Sequence, residues 1–125
     1  MPGLTLDAGA LIGFERNDRT VVALVARSLA HGRALAVPAG VVAQVWRDGR
    51  RQARLARLLG ASHVEIAVLD DQGAREAGQL CGVKGTADIV DASVVLCARA
   101  RKHRIVTSDP GDLRRLDPDA VLILV

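Results

Sequence analysis

The chain has 125 residues, half of them apolar, and a formal net charge of +3 with a pI of about 9.5. This length fits one domain, residues 1–125, with its own core, and excludes a second domain. No basic leader precedes an apolar run, and charged residues interrupt the longest apolar stretch, 21–46, so we expect a cytoplasmic protein without a signal peptide or membrane span. Cys81 and Cys97 are too isolated for a zinc pattern or a disulfide framework, and we expect buried, reduced thiols.

Strands and helices alternate in the first half of the chain. The spacing of Val21, Leu24, Val25 and Leu29 is helical, whereas short continuous apolar runs predict buried strands. The predicted elements are a strand at 3–7, a helix at 8–14, a helix at 21–30 capped by Asn17 or Asp18, a strand at 35–37 ended by Pro38, a helix at 39–47 and a helix carrying 53–59 that stops at Gly60.

The second half continues the alternation. The predicted elements are a strand at 64–69, a helix to about 81 capped by Asp70 or Asp71, a loop at 82–86, a helix at 88–101, a strand at 105–107, a short helix from Pro110 and a strand at 121–125. Alternating short strands and helices predict an α/β fold with a mainly parallel, five-stranded sheet, because parallel strands need crossover connections.

Five aspartates fall where such a sheet binds ligands, outside the carboxyl ends of its strands. Asp7 ends the first strand, and Asp109 and Asp112 follow the fourth. The helix that starts with Asp88 and Asp91 runs back antiparallel to the fourth strand, which returns its N-terminus to the same edge. The five acids therefore meet if the first and fourth strands are neighbours.

Helix capping is the ordinary explanation for three of these acids, Asp88, Asp109 and Asp112. It fails for Asp7, because a carboxylate that ends a buried strand meets no helical need that Ser or Thr would not meet. Crowded carboxylates repel one another unless a cation lies among them, and oxygen ligands select Mg²⁺ or Mn²⁺. Such a metal lowers the pKa of bound water and polarises a phosphodiester. With an arginine-rich flank, this pattern suggests hydrolysis of a nucleic acid backbone.

Four segments in order resemble the PIN domain, and most closely the VapC-like toxin ribonucleases of type II toxin–antitoxin pairs. These segments are Leu4–Ile12, Pro38–Arg47, Asp88–Ala92 and Ile105–Leu113. Each is weak alone, but together they span almost the whole chain. The resemblance implies a three-layer α/β/α fold and a Mg²⁺- or Mn²⁺-dependent endoribonuclease whose metal-activated water attacks phosphorus. It also implies an RNA substrate, a homodimer and a cognate antitoxin that covers the cleft.

By motif, Asp7, Asp91 and Asp109 are similar to the family's catalytic, metal-holding acids, with Asp112 as a supporting ligand and Asp88 as an additional acid. Gln44 departs from the pattern, because the family usually has glutamate there. Glutamine keeps a carbonyl oxygen but lacks the negative charge and cannot act as a base. The substitution is consistent with a one-metal nuclease, a slow enzyme, compensation by Asp88, or a domain that binds RNA or antitoxin without cutting RNA. A polar residue at the cleft rim is the plainer interpretation.

Arg47, Arg50, Arg54 and Arg57 share one side of a helix if Gly49 does not break it. Such a side is either a solvated surface or a track for RNA phosphates, for which Arg47, Arg50 and Arg54 are the candidates. Trp46 is the one aromatic residue beside them, and packing or dimerisation explains it as well as RNA does.

Other chemistries have little support in this sequence. The three histidines have no partner at catalytic or ligand spacing, and neither a serine nucleophile elbow nor a glycine-rich phosphate loop occurs. A phosphatase that uses Asp7 as its nucleophile is a poor alternative, because Gly9 stands where such enzymes commonly carry a second aspartate.

Overall fold

A computed structural model describes residues 2–125. Its strands and helices alternate in the predicted order. In chain order they are β1 (Leu4–Leu6), α1 (Ala8–Glu15), α2 (Arg19–Ala30), β2 (Leu35–Pro38), α3 (Ala39–Val45), α4 (Ala53–Leu59), β3 (Val64–Ala67), α5 (Asp71–Lys84), α6 (Ile89–Arg101), β4 (Arg104–Thr107), α7 (Pro110–Leu116) and β5 (Leu122–Leu124).

Capping residues set several helix starts as predicted. The Asp18 carboxylate accepts hydrogen bonds from the backbone N–H groups of Thr20 and Val21, and Asp70 accepts one from Gly73. At α4, Gly60 is the C-cap, also as predicted.

The predicted loop at 82–86 is wrong in its first half, because α5 continues to Lys84. Gly78 and Gly82 lie inside the helix with ordinary backbone angles, whereas Gly85 has a φ of 68°. An isolated glycine costs helix stability without ending the helix, but a left-handed glycine after the last turn ends it. The helix boundary therefore falls at the third of these glycines.

The sheet has the order β3-β2-β1-β4-β5, and all four strand pairs are parallel. β1 pairs with β2 on one side and β4 on the other, so the condition for bringing the acids together is met. Helix α1 packs with α2, α3 and α4, and α6 packs with α5 and α7. The fold is therefore the predicted α/β type with helices layered around a parallel sheet.

The core is formed by the central strands and the helix faces packed on them. Its fully buried side chains include Leu4, Leu6, Leu35, Val37 and Ile105. These are aliphatic residues on three adjacent strands, as a parallel sheet covered on both faces requires. Among residues 2–125, every helix is too short or too polar to cross a bilayer.

Candidate metal centre

Asp7 joins β1 to α1 and is almost completely buried, with 8% of its surface exposed. Its Oδ1 accepts a hydrogen bond of 2.9 Å from the Ala10 N–H, so Asp7 does cap α1, contrary to the sequence interpretation. Burial raises the pKa of Asp7 above its usual value, and the charge of Asp109 adds to this rise. Hydrogen bonds from Thr107, Ala10 and Gly9 oppose it by favouring the charged form.

Asp88 and Asp91 lie at the start of α6. The Asp88 Oδ1 accepts a hydrogen bond of 3.0 Å from the Asp91 N–H, which confirms the predicted cap. Burial raises the pKa of Asp91 to about 7, with further contributions from a hydrogen bond with Asp88 and from the charges of Asp88, Asp112 and Asp7. Burial and the neighbouring acids both favour the protonated form of this carboxyl over the charged form.

Asp109 and Asp112 lie at the start of α7. Asp109 occupies the N-cap position but its carboxylate makes no capping hydrogen bond, so the capping interpretation is wrong for this side chain. Its backbone N–H instead donates to the Thr107 hydroxyl at 2.9 Å. Asp112 is in the first turn of α7 and is exposed.

Three of these acids come close enough to hold one ion. Asp88, Asp91 and Asp112 each offer a carboxylate oxygen, and the three oxygens lie within 4.8 Å of one another. Asp7 and Asp109 are within electrostatic range, because Asp109 raises the pKa of Asp7 and Asp7 raises that of Asp91. Oxygen-only donors with surplus negative charge fit a hard divalent cation such as Mg²⁺ or Mn²⁺. The tightest group thus includes the two acids considered supporting or additional, Asp112 and Asp88.

No family model and no curated protein matches this chain. A solved structure of VapBC2 from Rickettsia felis bound to a DNA fragment from their promoter matches at 18% identity and TM-score 0.72, over 98% of each chain. FitAB bound to an IR36 DNA fragment matches at 13% identity and TM-score 0.65, over 97% of this chain and 94% of that one. FitAcB from Neisseria gonorrhoeae matches at 17% identity and TM-score 0.64, over 96% of each.

The chain has the PIN-like fold. The predicted resemblance to VapC-like proteins is therefore confirmed for the architecture, since identities this low establish the fold alone.

Gln44 is exposed on α3 of this PIN-like fold. It lies one turn after Gly40, and a side chain added at Gly40 would meet Val90 and Ser93 in the first turns of α6. Residues four apart share a helix side, so Gln44 is on the side of α3 that faces α6. The position is compatible with the rim of the acidic cluster.

Gly9 lies where α1 passes close to the segment after β4. A Cβ built at Gly9 would come within 2.2 Å of the Ser108 Oγ and within 3.5 Å of the Asp7 Oδ1. Space for the second aspartate of a phosphatase is therefore taken by Ser108. This geometry adds to the case against the phosphatase alternative.

The condition under which the four arginines would share one side of a helix is not met. Helix α3 ends at Val45 and α4 begins at Ala53, so Arg47 and Arg50 lie on the connecting segment. The Arg47 guanidinium donates to the carbonyls of Ala43 and Trp46, at 3.2 and 2.7 Å. On α4, Arg54 donates to Asn17 at 3.0 Å, and Arg54 and Arg57 border an apolar groove between α2 and α4. The four arginines therefore occupy two separate surfaces.

Sequence reasoning missed two polar residues around this site. Thr107 is fully buried between Asp7 and Asp109, and its position two residues before Asp109 is the spacing of a local hydroxyl turn. Gln52 is buried at the start of α4, and no sequence pattern marked it. Cys81 and Cys97 are buried and free, as predicted.

Proposed function

We propose that this chain is a Mg²⁺- or Mn²⁺-dependent endoribonuclease that acts as the toxin of a toxin–antitoxin pair. The observation that carries the proposal is the acidic cluster of Asp88, Asp91 and Asp112, with Asp7 and Asp109 in electrostatic range. Its fold is shared with solved VapBC and FitAB structures. Oxygen-only sites of this kind suit hard cations that also accept phosphate oxygens.

In this proposal, Asp7, Asp91 and Asp109 are the catalytic acids, and Asp112 and Asp88 complete the metal site. Asp88 holds the first turn of α6 through the Asp91 N–H, and Thr107 holds the Asp109 backbone. The Asp7 side chain is fixed by its bond to Ala10. These contacts orient the carboxylates before a cation arrives, which lowers the cost of assembling the site.

A bound cation would lower the pKa of its water and withdraw charge from the phosphodiester. The chain's own acids supply the negative charge that retains it. The elevated pKa of Asp91 favours cation binding above pH 7, where that carboxylate is ionised.

Two of the matching solved structures, VapBC2 and FitAB, are bound to DNA fragments and support the proposal of a toxin–antitoxin role. We propose that this chain binds a cognate antitoxin, forms a homodimer and acts on RNA. The basic balance of the chain favours a polyanionic substrate.

Cleavage of a single-stranded RNA, with Mn²⁺ or with chelator, tests the proposal. We expect metal-dependent cleavage that falls by at least about a hundredfold in Asp7→Asn and Asp91→Asn, because each removes a charge that holds the metal. Asp71→Asn is the matched control, since Asp71 is an exposed acid at the start of α5 that pairs with Arg75. Equal cleavage by wild type and Asp7→Asn, with both proteins folded, would contradict the proposal.

Gln44 favours a second candidate, a catalytically weak PIN fold that binds RNA or antitoxin. The Gln44→Glu variant separates the two. A large gain in metal affinity and cleavage would mark the wild-type site as degenerate. No gain, together with wild-type cleavage, would show that the native acids already form a complete site.

A further inference from the structure

The segment between α3 and α4, residues 46–52, is organised around one buried side chain. Gln52 is only 8% exposed, and its carboxamide uses all four of its hydrogen-bonding positions. The Oε1 accepts from the backbone N–H groups of Arg47 and Asp48, at 2.7 and 3.0 Å. The Nε2 donates to the Val45 carbonyl and to the Glu15 carboxylate, both at 2.9 Å.

These partners fix the orientation of the amide. Two backbone donors face one end, and a carbonyl and a carboxylate face the other, so exchanging the oxygen and nitrogen would lose all four bonds. A fully satisfied buried amide of this kind specifies one local conformation. It also explains why α3 ends at Val45, because Gln52 takes over the partners of that helix end.

The same amide ties the segment to α1. Glu15 is the last residue of α1, and Asp7 caps the other end of this eight-residue helix. The helix is about 12 Å long, and this length separates the segment from Asp7. The segment therefore lies at the end of α1 opposite Asp7.

The segment presents cations and an aromatic ring. Arg47, Arg50 and Arg51 are exposed, and Trp46 is 37% exposed. The Arg51 contact with Asp48 is 3.9 Å long and lies at the surface, where such pairs contribute little. Exposed guanidinium groups beside an aromatic ring suit a flexible phosphate backbone with unstacked bases.

We propose that Gln52 is a positioning residue that holds residues 46–51, the basic loop, in one conformation for binding single-stranded RNA. The proposal rests on the proposed function, since RNA is the substrate class that the nuclease would take. It adds a second binding surface at the far end of α1 and the residue that organises it. In this arrangement Arg50 and Arg51 contact phosphates, and Trp46 offers a stacking surface.

A double-mutant cycle on RNA binding tests this. Binding of a labelled single-stranded RNA is measured in chelator at several salt concentrations for wild type, Gln52→Met, Arg50→Gln and the double variant. We expect Gln52→Met to weaken binding by about tenfold and to reduce the salt slope by about one unit, because phosphate contacts are lost. Arg50→Gln should weaken binding in wild type but have little further effect in Gln52→Met.

Controls separate positioning from folding. Glu15→Gln with Gln52→Glu re-forms the side-chain pair with its donor and acceptor exchanged, so it should bind RNA better than Gln52→Glu alone. This pair also tests the proposal if Gln52→Met does not fold. Unchanged RNA affinity in a folded Gln52→Met, or additive losses in the cycle, would overturn the proposal and leave a structural role or a protein-binding loop.

The outcomes remain distinct from those for the nuclease. Loop-dependent RNA binding without metal-dependent cleavage would refute the proposed function and retain this inference. If Gln52→Met cleaves RNA with normal kcat and KM, the proposed nuclease function is retained and the inference on the basic loop is refuted. A rise in KM with kcat unchanged is the expected result, because the loop binds substrate away from the reacting phosphate.

Discussion

The Thr107 hydroxyl connects two of the site acids. It accepts a hydrogen bond from the Asp109 N–H and is itself hydrogen bonded to the Asp7 carboxylate. One oxygen therefore contacts the backbone of Asp109, the N-cap of α7, and the side chain of Asp7, the residue after β1. Because Thr107 is fully buried, removing its hydroxyl would leave buried polar groups without a hydrogen-bond partner, which lowers the free energy of unfolding.

The pKa of Asp91 gives a prediction for the metal-free protein. Burial and neighbouring acids raise it from 3.8 to about 7. Between these values the folded protein holds a proton that the unfolded chain has released, so the contribution of Asp91 to the free energy of unfolding decreases as pH rises. We expect Asp91→Asn to be more stable than wild type in chelator at about pH 8, by a few degrees in Tm, and to lose this advantage at about pH 4, near the unfolded pKa.

Thermal melts of both proteins in chelator measure this difference. Comparing the variant with wild type at each pH cancels the titration of the other groups. An advantage for Asp91→Asn that is the same at both pH values would show that Asp91 ionises normally. Adding Mn²⁺ at the higher pH should stabilise wild type more than the variant, because the cation replaces the missing proton.

Single residues were predictable where their chemistry left few alternatives. The acids were singled out because the predicted topology brings them all to one edge of the sheet, whereas Thr107 and Gln52 resemble any other buried polar residue. The Asp7 cap was missed because one carboxylate serves α1 and also faces the other acids. Sequence spacing does not reveal which carboxylate oxygen of Asp7 accepts the capping hydrogen bond and which one faces the other acids.

At the scale of elements, two alanine substitutions near the end of α5 should change the stability of the protein in opposite directions. Gly82 is helical, and a Cβ added there meets nothing within 4 Å, whereas Gly85 has a φ of 68°. Gly82→Ala should stabilise the protein by about 1 kcal/mol through helix propensity. Gly85→Ala should destabilise it by about 1–2 kcal/mol, because alanine is strained in the left-handed region.

Urea unfolding of the two alanine variants checks the boundary. Stabilisation by both substitutions would mean that α5 does not end at Gly85, and destabilisation by both would support the loop predicted from sequence.

Two of the element boundaries that differ from prediction have clear physical causes. Two helical glycines resembled a loop at 82–86, although only Gly85 adopts a left-handed conformation. The helix predicted to end at Arg47 ends at Val45, because the side chain of Gln52, seven residues later, donates to the Val45 carbonyl. Strands and most helices were predictable because their apolar patterns are local, and these ends were not because they depend on later residues.

At the scale of the whole molecule, parallel topology is what assembles the site. β1 lies between β2 and β4, so Asp7 and Asp109 emerge at one edge, and α6 returns Asp88 and Asp91 there. The order of segments was sufficient to predict this meeting, since it follows from the crossover rule. Which three acids come closest was not predictable, because it depends on side-chain placement within that edge.

Mn²⁺ binding measured by titration calorimetry tests the central claim most directly. Wild type and the Asp71→Asn control should bind Mn²⁺ with the same affinity, because Asp71 lies at the start of α5, outside the cluster. Asp91→Asn should bind at least about tenfold more weakly, since even outer-shell substitutions commonly cost that much. Equal Mn²⁺ affinity in wild type and Asp91→Asn would contradict the account.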